Sequence, residues 1–174
     1  MLPRMLPGPP AAPLEAPAPR ATARPQAASE TKMVEYVLPQ HANALGNVFG
    51  GQIMAWVDLC AAISAQRFTG LMCVTAFVDD LKFHHPVKVG EVVRLAARVS
   101  AAFRTSIEIE VAVEGEDSRS GRTWPCVQAR LTFVAIDAEG RPAPVPQLLA
   151  EDEAVRASQA TGEERRKSRL RANG

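Results

Sequence analysis

Residues 50–69 read GGQIMAWVDLCAAISAQRFT, and this stretch decides the fold. Ile53, Trp56, Val57, Cys60, Ala61 and Ser64 recur at helical spacing, which predicts a helix of about 19 residues, roughly 28 Å long. Gly70 ends it, as glycine commonly ends helices. The helix is apolar nearly all round; its polar residues are Gln52, Asp58, Ser64, Gln66 and Arg67. Such a helix must be covered on most sides. Ahead of it lies a polar loop from Gln40 to Asn47, and before that a short strand, Val34 to Leu38, closed by Pro39.

Four strand candidates follow the helix. Cys73 to His84 is stopped by Pro86, and Glu91 to Ala101 follows the Val89-Gly90 turn. Thr105 to Glu114 sets Ile107, Ile109, Val111 and Val113 against Glu108, Glu110 and Glu114. Thr123 to Ile136 puts Val127, Ala129, Leu131 and Phe133 on one face. Strands of about ten residues span roughly 33 Å, close to the helix length. The expected class is α+β: one antiparallel sheet wrapped around one long central helix, the hot-dog arrangement. The face carrying Glu108 and Glu110 should then point to solvent.

Outside this unit the composition changes. Residues 1–32 hold 8 of the 14 prolines and 8 alanines, so no helix is expected there. Large apolar side chains are scarce, and the segment reads as a disordered tail. Arg4, Arg20 and Arg24 outnumber Glu15 and Glu30, which leaves a transit peptide as an alternative. Residues 33–148 carry the fold. Residues 149–174 form a charged helix or tail, with the run from Glu163 to Arg171 read as a solvated face.

With 20 basic and 19 acidic residues the formal net charge is +1, so nucleic acid and anionic membranes are poor partners. No apolar run is long enough for a membrane span. Cys60, Cys73 and Cys126 lie singly in apolar stretches, as buried thiols of a reducing, cytoplasmic compartment.

Asp58 carries the chemistry. A carboxylate inside an apolar helix is costly to bury unless paired, so it either faces the helix's wet side or serves a function. Gly50-Gly51 opens the helix with uncovered N–H groups and the positive end of the dipole, an oxyanion or phosphate site or a plain tight turn. Asn47 is either a polarising amide or an ordinary cap or Asx turn. Eight residues separate Gly50 from Asp58, about 12 Å along the axis. If these groups cooperate, two antiparallel helices of a two-fold dimer must bring them together. His84 and His85 point to opposite faces of a strand and do not chelate one metal; none is expected. His41 is read as loop structure.

The stretch HANALGNVFGGQIMAWVD, 41–58, resembles the hot-dog acyl-CoA thioesterases of the cytosolic acyl-CoA hydrolase and brown-fat-inducible group. CVTAFVDDLKF at 73–83, PVKVGEVV at 86–93, FRTSIEIEV at 103–111, LTFVAIDAEGRPAPVPQL at 131–148 and EERRKSRL at 163–170 are similar as well. The resemblance implies hydrolysis of an acyl-CoA to a free acid and CoA, with no cofactor beyond the CoA of the substrate. It implies Asp58 as base or nucleophile, Asn47 as its loop partner, and the amide of Gly50 or Gly51 as the oxyanion donor. Arg104, Thr105 and Ser106 are candidate CoA contacts and Thr75 a pocket residue. One hot-dog unit fits in this chain, so a homodimer at minimum is expected, extended to a tetramer or hexamer. Alternatives are a non-catalytic acyl-CoA sensor and a hydroxyacyl-CoA dehydratase with His41 as its catalytic histidine.

Overall fold

The computed structural model describes residues 22–172. Gly50–Thr69 is one helix, α1, and Gly70 closes it in the left-handed conformation (φ 67°) with its N–H on the Gln66 carbonyl. Only glycine takes that conformation without strain. Ile53, Trp56, Val57, Cys60, Ala61, Ala65 and Phe68 are buried against the sheet. Burial of a side chain such as Ile53 or Phe68 contributes roughly 1.5–3 kcal/mol.

The main sheet has five strands, all antiparallel neighbours: β2 (Thr31–Tyr36), β4 (Val92–Ala102), β5 (Ser106–Asp117), β6 (Arg122–Ile136) and β3 (Met72–Phe83), in that spatial order. Leu95, Val99, Ile107, Ile109, Val111, Leu131 and Phe133 form the inner layer with α1. The expected hot-dog architecture and its four long strands are present, with bounds shifted by one to three residues. The first strand begins at Thr31, earlier than Val34, and Pro39 opens a 3-10 turn.

β3 is an edge strand and carries two bulges. Ala76 is extra between the pairs Thr75–Phe133 and Phe77–Thr132, and a second irregularity falls between Asp79 and Lys82. The first bulge turns Phe77 and Asp79 onto the sheet face opposite α1, because one added residue inverts the alternation.

Two expectations are corrected. Residues 22–32, assigned to the tail, are packed on the core; residues 1–21 lie outside the described residues. Ala23–Arg24 (β1) pairs in parallel with Gln147–Leu148 (β7). Arg24 donates to the carbonyls of Arg67 and Phe68 at the C-terminal end of α1. That is where a cation satisfies both the free carbonyls and the helix dipole. Ser29 is buried, accepting from the Val99 N–H and donating to the Gln26 carbonyl.

The second correction concerns Glu108 and the C-terminal segment. Glu153–Ala172 forms helix α2, which lies on the sheet face opposite α1 and is no free solvated helix. Glu108 is 0% exposed: Arg165 donates to both its oxygens and Ser100 to one. Gln159 donates to the Ala102 carbonyl and accepts from its N–H, and Gly162 sits so close to Ala101 that a Cβ there would collide with it. Arg169 pairs with Asp79. The charged run from 163 to 171 thus supplies both the ion pairs that dock the helix and its wet face.

Candidate functional site

The segment leading into α1 is a tightly bonded loop. The Asn43 side-chain oxygen accepts the N–H groups of Leu45 (2.9 Å) and Asn47 (3.3 Å), an Asx turn. The Asn43 N–H returns to the Asn47 carbonyl at 2.8 Å, and Gly46 (φ 75°) closes the turn. Val48 donates to Val87, and Phe49 to His41, at 2.7 Å each. His41 accepts the Leu38 N–H and sets its ring edge-on to Trp56, so it is loop structure, as expected. Both oxygen lone-pair directions of Asn43 are used, so its carboxamide is fixed and its NH2 group is left to donate.

Asn47 caps nothing: the residue before the helix is Phe49, with no side-chain cap bond. The Asn47 carboxamide makes no hydrogen bond among the described residues, and its backbone bridges to Lys88. The N–H groups of Gly50 and Gly51 precede the first helical acceptor and are free among the described residues. Neither glycine has positive φ. A Cβ on Gly51 would press on the Phe49 ring at 3.1 Å, and one on Gly50 would meet Phe83 at 3.5 Å.

Asp58 projects from the exposed side of α1. Thr75 Oγ1 of β3 donates to its Oδ1 at 2.6 Å, leaving Oδ2 unpaired among the described residues. Thr75 was expected only as a pocket residue; its bond to the carboxylate crosses from strand to helix and has no local sequence signal. Asp58 and Thr75 lie on open surface within one chain, on a side of the molecule that also exposes Met54, Leu59, Val78 and Phe83. Gly50 and Gly51 remain about two turns away along the same helix. One chain does not bring the carboxylate and the helix-start amides together.

Arg104, Thr105 and Ser106 form the turn into β5. Ser106 pairs with Val134, which pairs with Val74, so this turn sits near the C-terminal end of α1, far from the chain's own Gly50. The Arg104 and Thr105 carbonyls accept from Val145 and Ala135, the Arg104 side chain is exposed, and Arg166 lies over the neighbouring Phe103 ring. A depression of about 420 Å³ lined by Lys32, Ala96, Arg98, Glu110, Ala112 and Arg130 is on the opposite sheet face, away from Asp58. Among the described residues no group of three His, Cys, Asp or Glu side chains is placed to hold a metal. No helix among them is long and apolar enough to cross a membrane.

Residues 45–121 match the family model described as "Thioesterase superfamily". The mouse protein named acyl-coenzyme A thioesterase 11 is 37% identical over 142 residues, which are 82% of this chain and 24% of that relative. The chain thus spans about a quarter of its length. The solved acyl-CoA hydrolase of Staphylococcus aureus, in complex with butyryl coenzyme A and coenzyme A, is 33% identical with a TM-score of 0.78, covering 87% of this chain and 94% of that one. A solved hexameric acyl-CoA thioesterase is 31% identical with a TM-score of 0.83, covering 88% and 98%. Three further staphylococcal structures carry single alanine substitutions: at an asparagine, at an aspartate fifteen positions on, and at a threonine seventeen beyond that.

Proposed function

Because the chain belongs to the thioesterase superfamily, we propose that it hydrolyses an acyl-CoA to a free carboxylic acid and CoA, at sites shared between two copies of the chain. The hydrogen bond of Thr75 to Asp58 on an open apolar face carries this reading. It orients a carboxylate whose second oxygen has no partner among the described residues and can take a proton, on a surface that is open within one chain.

The staphylococcal positions have the spacing of Asn43, Asp58 and Thr75, the same residue types in the same order. We therefore give the loop amide role to Asn43, whose NH2 is held outward by the Asx turn, and to Asn47 the backbone that closes that turn. In the reaction Asp58 accepts a proton from water while the water oxygen adds to the thioester carbon. The carbonyl oxygen gains negative charge and is received by the amides of Gly50 or Gly51 and the Asn43 NH2 of the other chain. The carbon–sulfur bond then breaks, the sulfur takes the proton from Asp58, and the products are the acid and the CoA thiol. Arg104, Thr105 and Ser106, near the α1 C-terminus, reach the partner's helix start in an antiparallel dimer and suit the CoA phosphates. No cofactor is needed.

The edge strand β3 and the exposed apolar side chains around it favour pairing with a second copy. Further assembly of dimers into a tetramer or hexamer is supported by the hexameric relative. Three free cysteines support a reducing, cytoplasmic setting. The test is thiol release from a panel of acyl-CoAs of two to twenty carbons. Turnover on at least one length is expected; binding without release at any length makes the protein a sensor.

A further inference from the structure

We propose that Arg169 of α2 is a positioning residue for the reaction: it locks the β3 bulge that begins directly after Thr75, and so holds the Asp58 carboxylate in its working orientation. This rests on the thioesterase reading above. Ala76 is the added residue, and Thr75 is the last β3 residue before it. Without the bulge, Phe77 would share Thr75's face of the strand. With it, Phe77 and Asp79 emerge on the opposite face, and Arg169 holds both. Its guanidinium pairs with Asp79 Oδ2 and lies 5.6 Å from the Phe77 ring centre. The ion pair is mostly shielded, with side-chain exposures of 17% and 26%.

The second irregularity of β3, between Asp79 and Lys82, follows directly. Asp80 has φ 48°, the sole non-glycine residue with positive φ among the described residues. Its carboxylate is met by Arg130 of β6 at 3.5 Å. Such a conformation persists only where its surroundings impose it. An edge strand has hydrogen-bonding neighbours on one side only; within the chain β6 pairs with β3, α1 packs on one of its faces and Arg169 of α2 holds the other. α2 itself is anchored at the buried Glu108 by Arg165, one turn before Arg169. A C-terminal helix with no residue at the carboxylate thereby controls the strand that orients it.

The experiment is a double-mutant cycle on the full chain between Arg169→Met and Thr75→Ala, read by steady-state thioester hydrolysis and by hydrogen exchange over residues 72–83. Arg169→Met alone should lower kcat about ten- to hundredfold and leave KM nearly unchanged, with Arg169→Lys recovering part of the loss. In the Thr75→Ala background the same change should cost at most about twofold, because the bond it supports is already absent. Exchange in β3 should rise while α1 stays protected. Losses that multiply in full, a raised KM with unchanged kcat, or unchanged kcat would each overturn the proposal. If Arg169→Met does not fold, Asp79→Asn provides the same cycle. Should the unsubstituted protein cleave no acyl-CoA, the function reading fails by itself. The exchange arm then still decides whether Arg169 holds the bulge.

Discussion

Replacing Arg165 with methionine removes the counter-charge of a carboxylate that water does not reach. Glu108 accepts from Arg165 Nε at 3.0 Å, Arg165 Nη2 at 2.5 Å and Ser100 Oγ at 2.7 Å. The substitution deletes two of these three bonds and leaves a buried charge uncompensated. Breaking a buried pair from one side costs about 3–5 kcal/mol. The loss saturates when α2 lifts away, because Glu108 is then hydrated. At pH 7 Arg165→Met should therefore lower stability by about 3 kcal/mol in urea unfolding, and the amides of Glu153–Ala172 should lose exchange protection first. Acid changes the comparison. Burial pushes the Glu108 carboxyl up, but the Arg165 and Ser100 hydrogen bonds outweigh it and hold it below the ordinary 4.5. That stabilisation is present above the ordinary value and lost as pH falls through the lower folded one. In the variant burial acts with only the Ser100 hydrogen bond and the Arg130 charge against it, so the gap to the unsubstituted protein should narrow as pH falls and Glu108 is protonated. The paired change Glu108→Leu with Arg165→Met should recover most of the loss. A cost under about 1 kcal/mol, with α2 still protected at pH 7, refutes the reasoning.

Burial pushes the thiols of Cys60 and Cys126 up to about 11, so both stay protonated at neutral pH. Alkylation of the native protein should be slow there and rapid once it is unfolded. Gly115→Ala would drive a methyl group into the Trp124 indole, which stacks directly on that glycine. Its expected cost is about 1–3 kcal/mol in thermal or urea unfolding, with a change in tryptophan fluorescence. Asn43→Ala should lower kcat about a hundredfold or more, and Asn47→Ala less than about tenfold; the reverse order would return the amide role to Asn47.

The helix from Gly50 to Gly70 and the strands behind it were legible in the sequence because their signals are local: helical spacing, alternation, glycine and proline stops. Asp58 stood out for the same reason, as a lone carboxylate in an apolar helix. What escaped depends on partners distant in sequence. Glu108 alternates with isoleucines as a solvent-facing residue would, and only the docking of α2 buries it. Residues 22–32 look like more of the proline-rich segment, yet Arg24 and Ser29 bind backbone groups of α1 and β4. Asn43 and Asn47 are equivalent by composition; the Asx turn distinguishes them, since it uses the oxygen of Asn43. The bond from Thr75 to Asp58 depends on where β3 runs beside α1, which single-residue patterns do not record.

Complementation between two inactive variants tests the shared site most directly. Asp58→Ala and Asn43→Ala should each be nearly inactive in thiol release from acyl-CoA. When the two are co-expressed with separate tags and the mixed dimers isolated, one of the two sites in each mixed dimer has both groups intact. Random pairing makes about half the dimers mixed, so about a quarter of all sites should work in the unfractionated sample under two-fold symmetry. Isolated heterodimers should show about half the activity of the unsubstituted protein. Heterodimers as inactive as either parent would contradict a site built from Asp58 of one chain and Asn43 of the other.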